Sequence, residues 1–191
     1  MTETHVVISR YNESVDWVKD LQYPYTIYNK GMDDINYPNI KLSNIGRESG
    51  TYIYHIIQNY NNINDYTIFL QAMPFEHCGN LLEKIKNYNR DELTLLADGI
   101  LPNNLCVVPE DHRLGVEKIV NKLGLHDYLK NYITPQYDYP FGSQWIIPKK
   151  YIINKSLKFW IDLYEIHQSI FESPWVLERM FLHVFRYSDK T

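Results

Sequence analysis

Three basic residues stand where predicted strands give way to loops or to a helix: Arg10, Lys30 and Arg47. A guanidinium or ammonium group at such a position can balance the charge of a bound phosphate. Each of the three could equally be a surface cation or the partner of a carboxylate in the same chain. The spacing therefore predicts an anion site that draws on some of these cations.

Carboxylates and a histidine are candidates for acid–base chemistry. Glu178 interrupts an otherwise apolar helical pattern, and Glu76 and His77 follow a predicted strand. A carboxylate in such a setting can accept a proton from a hydroxyl group, although an exposed or ion-paired glutamate and a structural histidine explain the pattern as well. A metal site is an alternative interpretation, with ligands drawn from Glu76, His77, Glu110, Asp111 and His112.

Several common catalytic signatures are missing. The chain has no Gly-x-Gly-x-x-Gly, no Gly-Lys-Ser/Thr phosphate loop, no Gly-x-Ser-x-Gly and no His-Glu-x-x-His. These absences argue against dinucleotide-binding dehydrogenases, P-loop kinases, α/β-hydrolases and zincins. Only Cys78 and Cys106 are present, too few for a disulfide framework or a cysteine-built zinc site.

Alternating strand and helix signals must position these residues. Near-continuous apolar runs at residues 6–9 and 67–70 predict interior strands, and apolar residues at helical spacing over 52–60 predict an amphipathic helix between them. The second half is less regular, with strands expected at 105–108 and 144–147 and a last helix beginning near Ser173. The pattern predicts one α/β domain over residues 1–191, with a mainly parallel central sheet flanked by helices and functional loops at the carboxyl ends of the strands.

Composition limits the classes of partner. The 191 residues are 45% hydrophobic and 22% charged, with a net charge of −4, so there is no basic surplus for binding nucleic acid. No apolar stretch approaches the roughly 18 residues of a membrane span, and the first residues do not resemble a signal peptide. We therefore expect a cytoplasmic protein without a membrane span or a nucleic-acid partner.

Several short motifs, which occur in a matching order, carry a resemblance to a known family. VVISRYNE at residues 6–13, followed by a helix, resembles the opening of glycosyltransferases with the GT-A fold, whose first strand and loop hold the nucleotide. NIGRE at residues 44–48 is similar to an Asn-x-Gly-Arg-Asp/Glu element of rhamnan-synthesis-F-like proteins and of an uncharacterised family of fungal, bacterial and viral proteins. That family continues with a Tyr-rich helix, a strand ending in Phe-Leu-Gln, then Pro and His, as here at Gln71, Pro74 and His77. Residues 141–147 and 177–181 resemble its later strand and its closing helix.

The resemblance implies a single GT-A-like, Rossmann-like domain. The implied activity is a hexosyltransferase-like glycosyltransferase, which moves a sugar from a nucleotide-sugar donor to a glycan or other hydroxyl acceptor. The implied catalytic residues are Glu178 and Glu76. The implied donor-binding residues are Arg10, Asn12, Glu13, Asn29, Lys30, Asn44, Gly46, Arg47, Gln71 and His77.

The chain departs from the GT-A pattern at the predicted metal position. Most such enzymes end their third main strand in Asp-x-Asp, which binds a divalent metal on the donor diphosphate, and this chain has Gln71-Ala72-Met73 there. A neutral amide is a poor ligand for a hard cation, so we expect no tightly held metal at this strand end. Mn²⁺ or Mg²⁺ bound elsewhere in the chain is the alternative. A non-catalytic nucleotide- or sugar-binding module is the alternative. A small nuclease is disfavoured by the charge balance.

Overall fold

A computed structural model describes residues 3–103, 110–126, 137–140, 142–171, 173–186 and 188. The strands are β1 Thr4–Arg10, β2 Tyr25–Asn29, β3 Asn39–Lys41, β4 Tyr66–Gln71, β5 Thr94–Leu95, β6 Ile100–Asn103, β7 Tyr137–Pro140 and β8 Trp145–Pro148. The helices are α1 Arg47–Asn59, α2 Leu81–Lys86, α3 Glu110–Leu123, α4 Lys150–Ile153, α5 Leu157–Ser169 and α6 Ser173–Arg186. Short 3-10 helices cover Asp16–Asp20, Tyr60–Asn62 and Pro74–Glu76.

Six strands form the central sheet in the order β3-β2-β1-β4-β8-β5. The first four are parallel, with Val7 beside Thr26 on one side and Phe69 on the other. The apolar runs predicted as interior strands are confirmed, because β1 and β4 each have a neighbour on both sides and Val6, Val7, Ile68 and Phe69 are fully buried. Strands β6 and β7 form a separate antiparallel pair.

The prediction of a mainly parallel sheet is wrong, because the sheet is mixed. β8 runs antiparallel to both β4 and β5. The sequence of β8 is a continuous apolar run, and all four of its residues are buried. Such a run shows only that both faces are covered; it does not reveal strand direction.

Helices cover the two faces of the sheet unequally. The larger core lies between the sheet and helices α1, α3, α5 and α6, and includes Tyr52, Phe69, Trp145 and Phe181. The smaller core lies on the opposite face, under α2 and the 3-10 helix Asp16–Asp20. Helix α1 presents the apolar face expected from its spacing, and α6 begins at Ser173 as predicted. The strand expected at residues 105–108 lies outside the described residues.

The order in which the chain adds strands to the sheet creates a crevice at the carboxyl ends of the central strands. From β1 the chain moves outward to β2 and β3, and then returns to add β4 on the other side of β1. Ligands of open α/β sheets bind outside the carboxyl ends of the strands at such a reversal. The carboxyl ends of β1 and β4 carry Arg10 and Gln71. None of the helices in the described part of the chain combines the length and the apolar character required to cross a membrane.

Candidate functional site

A cavity of about 450 Å³ opens at the carboxyl ends of β1 and β4. Ser9 and Gln71, which are register partners on the two strands, both line it. The other lining residues come from the strand-end loops and from the start of α1: Arg10, Tyr11, Glu13, Lys30, Asn44, Arg47, Glu48, Ala72, Met73 and Glu76. Seven of the sequence-predicted site residues therefore meet in one space.

A second cavity of about 140 Å³ adjoins the first. The two share Arg47, Glu48 and Gln71 as lining residues. The smaller cavity is completed by His77 and by residues of the C-terminal part: Gly142, Pro174, Trp175 and Glu178. The predicted residues Glu178 and His77 thus border the smaller cavity together with Arg47 and Glu48.

Arg47 borders both cavities, and its guanidinium group is positioned to contact a ligand. Its guanidinium carbon is 4.4 Å from the centre of the Trp175 ring, a cation–π contact. Within the described residues, the Arg47 side chain makes no hydrogen bond or ion pair, and the residue is exposed. All its N–H groups are therefore free to contact an anion.

Glu48 and Glu178 place two carboxyl groups beside this arginine. Burial raises the pKa of Glu48 to about 7, and the nearby charge of Glu178 adds to that effect. Burial also raises the pKa of Glu178, opposed by a hydrogen bond of 2.9 Å from the Gly142 N–H to Glu178 Oε1. A carboxyl group that titrates near neutral pH can both accept and donate a proton under physiological conditions.

Tyr52 lies one helical turn after Glu48 and is completely buried. Its ring packs against Phe69 and Phe181, and its hydroxyl has no hydrogen-bond partner in the described part of the chain. Burial raises the pKa of Tyr52 well above its ordinary value, and the charges of Glu48 and Glu178 raise it further. The hydroxyl therefore stays protonated beside the two carboxyl groups.

Lys30 lines the larger cavity, but its ammonium group is engaged by the protein itself. Lys30 Nζ donates to the carbonyl oxygens of Ile45, at 2.9 Å, and of Arg47. Burial lowers the pKa of Lys30 to about 8, opposed by the charge of Glu48. Gly46 lies between these two carbonyl groups and approaches His167 rather than either cavity.

Arg10 also lines the larger cavity, but most of its guanidinium N–H groups are hydrogen-bonded within the protein. Its guanidinium donates to Asn29 Oδ1 at 2.9 Å, to the carbonyl oxygens of Glu13 and Met32 at 2.8 and 2.9 Å, and to Asp34 Oδ1 at 2.6 Å. The hydrogen bond from Arg10 holds the pKa of the exposed Asp34 carboxyl below its ordinary value. Arg10 thus joins the loops after β1 and β2.

Asn12, Glu13 and Asn29 stabilise the same two loops. Asn12 Oδ1 accepts from the Met32 N–H at 2.9 Å, and Glu13 Oε2 accepts from the Tyr11 N–H at 2.7 Å. Asn29 is fully buried and lines neither cavity around Arg47. Its amide donates to the Met32 carbonyl at 2.9 Å. Asn29 therefore shapes the loop without facing a ligand.

The remaining predicted residues lie at the rims of the two cavities. Asn44 and Glu76 are exposed at the larger cavity, and Gln71 borders both. His77 packs so closely against Gly142 that a Cβ added there would lie 2.4 Å from its ring. Gly142 has a φ of 82°, so this close approach and its backbone conformation both favour glycine.

The described residues include no group of three or more His, Cys, Asp or Glu side chains arranged to hold a metal ion. At the end of β4 the donor set is the amide of Gln71, followed by buried Ala72 and by Met73, which does not suit a hard divalent cation. Residues 110–112 begin α3, and their side chains lie outside what the structure describes. The expectation of no tightly held metal stays a prediction.

Sequence reasoning missed three contributors to the site: Glu48 as a titrating group, Trp175 and Tyr52. Glu48 fits the helix dipole in the first turn of any helix, and the two aromatic residues read as core positions. Their roles depend on α6 packing against α1, a contact between distant parts of the chain. The only local sequence feature that indicated a site on this helix was Glu178, an acidic residue within an apolar segment.

Comparison with known proteins finds a similarity that covers somewhat less than half of the chain. Residues 6–96, which are 91 of the 191, match the family described as "Protein of unknown function (DUF3431)". That stretch is similar to the family from β1 to β5 and includes the strand-end loops and the start of α1. No curated protein and no solved structure matches the chain.

Proposed function

We propose that the protein is a glycosyltransferase with a GT-A-like domain, which transfers a sugar from a nucleotide-sugar donor to a hydroxyl acceptor. One observation carries the proposal: a guanidinium with no hydrogen bond or ion pair among the described residues borders the same space as two carboxyl groups of raised pKa, at the strand reversal where α/β sheets bind ligands. This combination provides a site for an anionic leaving group beside a proton acceptor.

The donor diphosphate would bind at Arg47 and the beginning of α1. Arg47 can contact two phosphate oxygens at once, since its N–H groups are uncommitted within the described residues. Helix α1 has 13 residues, and its N-cap, Gly46, provides no side-chain hydrogen bond to the first turn. The Glu48 carboxyl group accepts a hydrogen bond from its own backbone N–H, so an anion would bind the remaining N–H groups of this helix start. Lys30 adds positive charge, and two of its three N–H groups donate to carbonyl oxygens of the protein.

Glu48 is the best candidate for the general base. In its ionised form it would take the proton of the acceptor hydroxyl while the oxygen forms a bond to the anomeric carbon. The bond from that carbon to the diphosphate oxygen breaks, and its electron pair leaves with the diphosphate. Arg47, which borders both cavities, would stabilise the negative charge that develops there.

Glu178 and Glu76 then have different roles from those first implied. Glu178 Oε1 is held by the Gly142 N–H, so Oε2 is left to accept a hydrogen bond from a sugar hydroxyl. Glu76 is exposed at the rim of the larger cavity, where solvent competes with any role in proton transfer. We therefore rank Glu48 first as base and assign Glu178 to sugar binding.

A non-catalytic binding module is the second candidate function. It is favoured by the neutral sequence Gln71-Ala72-Met73 at the strand end where GT-A enzymes carry metal-binding carboxylates. Such a module would bind the donor without cleaving it. The two candidates therefore differ in turnover and agree in binding.

A thermal-shift screen against nucleotides and nucleotide sugars tests both candidates. A ligand at 100 times its Kd stabilises the folded chain by about 2.7 kcal/mol. At the same ligand concentration Arg47→Ala, with a Kd at least tenfold higher, should lose about half of this stabilisation or more, whereas Arg90→Ala, at an exposed arginine outside both cavities, should retain it. No shift with any nucleotide sugar would contradict both candidates.

A further inference from the structure

The turn that precedes α1 has an unusual backbone. Gly46 and Arg47 both have positive φ, at 69° and 45°. Glycine adopts this region freely, but an arginine there meets steric strain between its Cβ and the backbone. A strained conformation persists only where surrounding contacts hold it in place.

Three consecutive carbonyl groups of this turn are held by buried side chains. Lys30 Nζ donates to the Ile45 oxygen at 2.9 Å and also to the Arg47 oxygen. His167 Nε2 bonds the Gly46 oxygen between them at 3.0 Å. Lys30 is 8% exposed and His167 is 1% exposed, so these contacts are largely shielded from water.

The chemistry of its partners fixes the state of His167. A carbonyl oxygen only accepts, so Nε2 must carry a proton, and Nδ1 can then accept from the Ser173 hydroxyl. Burial lowers the pKa of His167 to about 4, so the ring is neutral at physiological pH and keeps this single donor. A Cβ on Gly46 would lie 2.2 Å from Nε2, so glycine permits this close approach.

We infer that Lys30 and His167 are positioning residues, which hold the turn at Gly46 and Arg47 so that the Arg47 guanidinium lies against Trp175 between the two cavities. Lys30 directly follows β2, His167 lies in α5 and Ser173 begins α6. The arginine is therefore fixed by three elements distant in sequence. The claim that this placement serves anion binding rests on the proposed function. The placement itself is independent of that function.

Nuclear magnetic resonance tests the placement directly. A guanidinium 4.4 Å from an indole ring shifts upfield through the ring current, and Trp175→Leu gives the unshifted reference for the Arg47 Nε–H signal. His167→Leu removes the donor to Gly46, so the Arg47 signal should move at least halfway to that reference. His167→Gln restores an N–H donor and should keep most of the shift.

Folding of each variant is checked by circular dichroism. If His167→Leu does not fold, Lys30→Met, which removes the contacts to Ile45 and Arg47, takes its place with the same expected loss of shift. A folded His167→Leu or Lys30→Met chain with an unchanged Arg47 signal would overturn the inference. An equal loss of shift in His167→Gln and His167→Leu would also overturn it.

Calorimetry with inorganic pyrophosphate separates this inference from the proposed function. If both are correct, His167→Leu weakens pyrophosphate binding about tenfold, as expected for a misplaced charge-assisted contact, and His167→Gln weakens it less. If the wild-type chain does not bind pyrophosphate while the resonance moves as expected, the placement holds and the proposed anion site fails. If pyrophosphate binds equally well to all three chains, Lys30 and His167 do not position Arg47 for an anion.

Discussion

Replacing Glu48 by glutamine is expected to stabilise the folded chain at alkaline pH and to have little effect at acidic pH. Burial raises the pKa of Glu48 from the ordinary value of 4.5 to about 7. Between those values the folded chain keeps a proton that the unfolded chain has lost, so the free energy of unfolding falls as the pH rises. Each pKa unit corresponds to about 1.4 kcal/mol, so the ionised Glu48 costs about 3 kcal/mol above pH 7.

Urea unfolding of the wild-type and Glu48→Gln chains at pH 5 and pH 8 measures this cost. Glutamine cannot ionise, so the variant should exceed the wild type by about 3 kcal/mol at pH 8 and by much less at pH 5. Buried histidines such as His55 and His167, whose pKa values are lowered, also change stability over this range. They are present in both chains, so the difference between the chains isolates the site around Glu48.

Glu76→Gln is the matched control, because Glu76 lines the same cavity and is exposed. Its free energy of unfolding should follow the wild-type pH dependence. If Glu48→Gln and the wild type differ by the same amount at both pH values, Glu48 does not titrate near 7. The assignment of Glu48 as the base would then lose its physical reason.

Three further outcomes are expected. Arg47→Ala should raise the Kd for the donor at least tenfold in calorimetry with little change in melting temperature, and Arg47→Gly should be about 1 kcal/mol more stable than Arg47→Ala because glycine accepts a φ of 45°. A large fall in melting temperature with unchanged affinity would make Arg47 structural. Tyr52→Phe should leave the free energy of unfolding unchanged or raise it by up to about 1 kcal/mol, because the Tyr52 hydroxyl has no partner among the described residues. Tyr28→Phe should lower it by about 1 kcal/mol, because the Tyr28 hydroxyl bonds His55 Nδ1 at 3.0 Å. Equal losses in urea unfolding would show that the Tyr52 hydroxyl is bonded. Activity should persist in excess chelator, and a loss restored by Mn²⁺ or Mg²⁺ would contradict the metal-free site.

The sequence was sufficient to predict the elements that build the crevice. Continuous apolar runs identify β1 and β4, and helical spacing identifies α1, because local patterns report burial directly. The direction of β8 was not predictable, since a buried strand reads the same in both orientations. The cluster of polar residues at the strand ends followed from the topology that these elements imply.

The roles of individual side chains were less predictable than their location. Arg10 and Lys30 were expected to bind a ligand, yet the protein's own carbonyl and side-chain oxygens occupy most of their N–H groups. His167 contacts Gly46 across 121 positions, a distance that no local motif reveals. The raised pKa of Glu48 likewise depends on burial that the tertiary structure creates, with Glu178 of α6 nearby. Such effects arise only when distant segments pack.

The release of nucleoside diphosphate from a nucleotide sugar is the most direct test of the proposed glycosyltransferase. Each donor that stabilises the wild-type chain would be incubated with and without hydroxyl acceptors, alongside Glu48→Gln and Arg47→Ala. The proposal predicts release by the wild type, at least a hundredfold slower release by Glu48→Gln with donor binding retained, and weak binding by Arg47→Ala. Tight donor binding by the wild type without release, or release at an equal rate by Glu48→Gln, would contradict it.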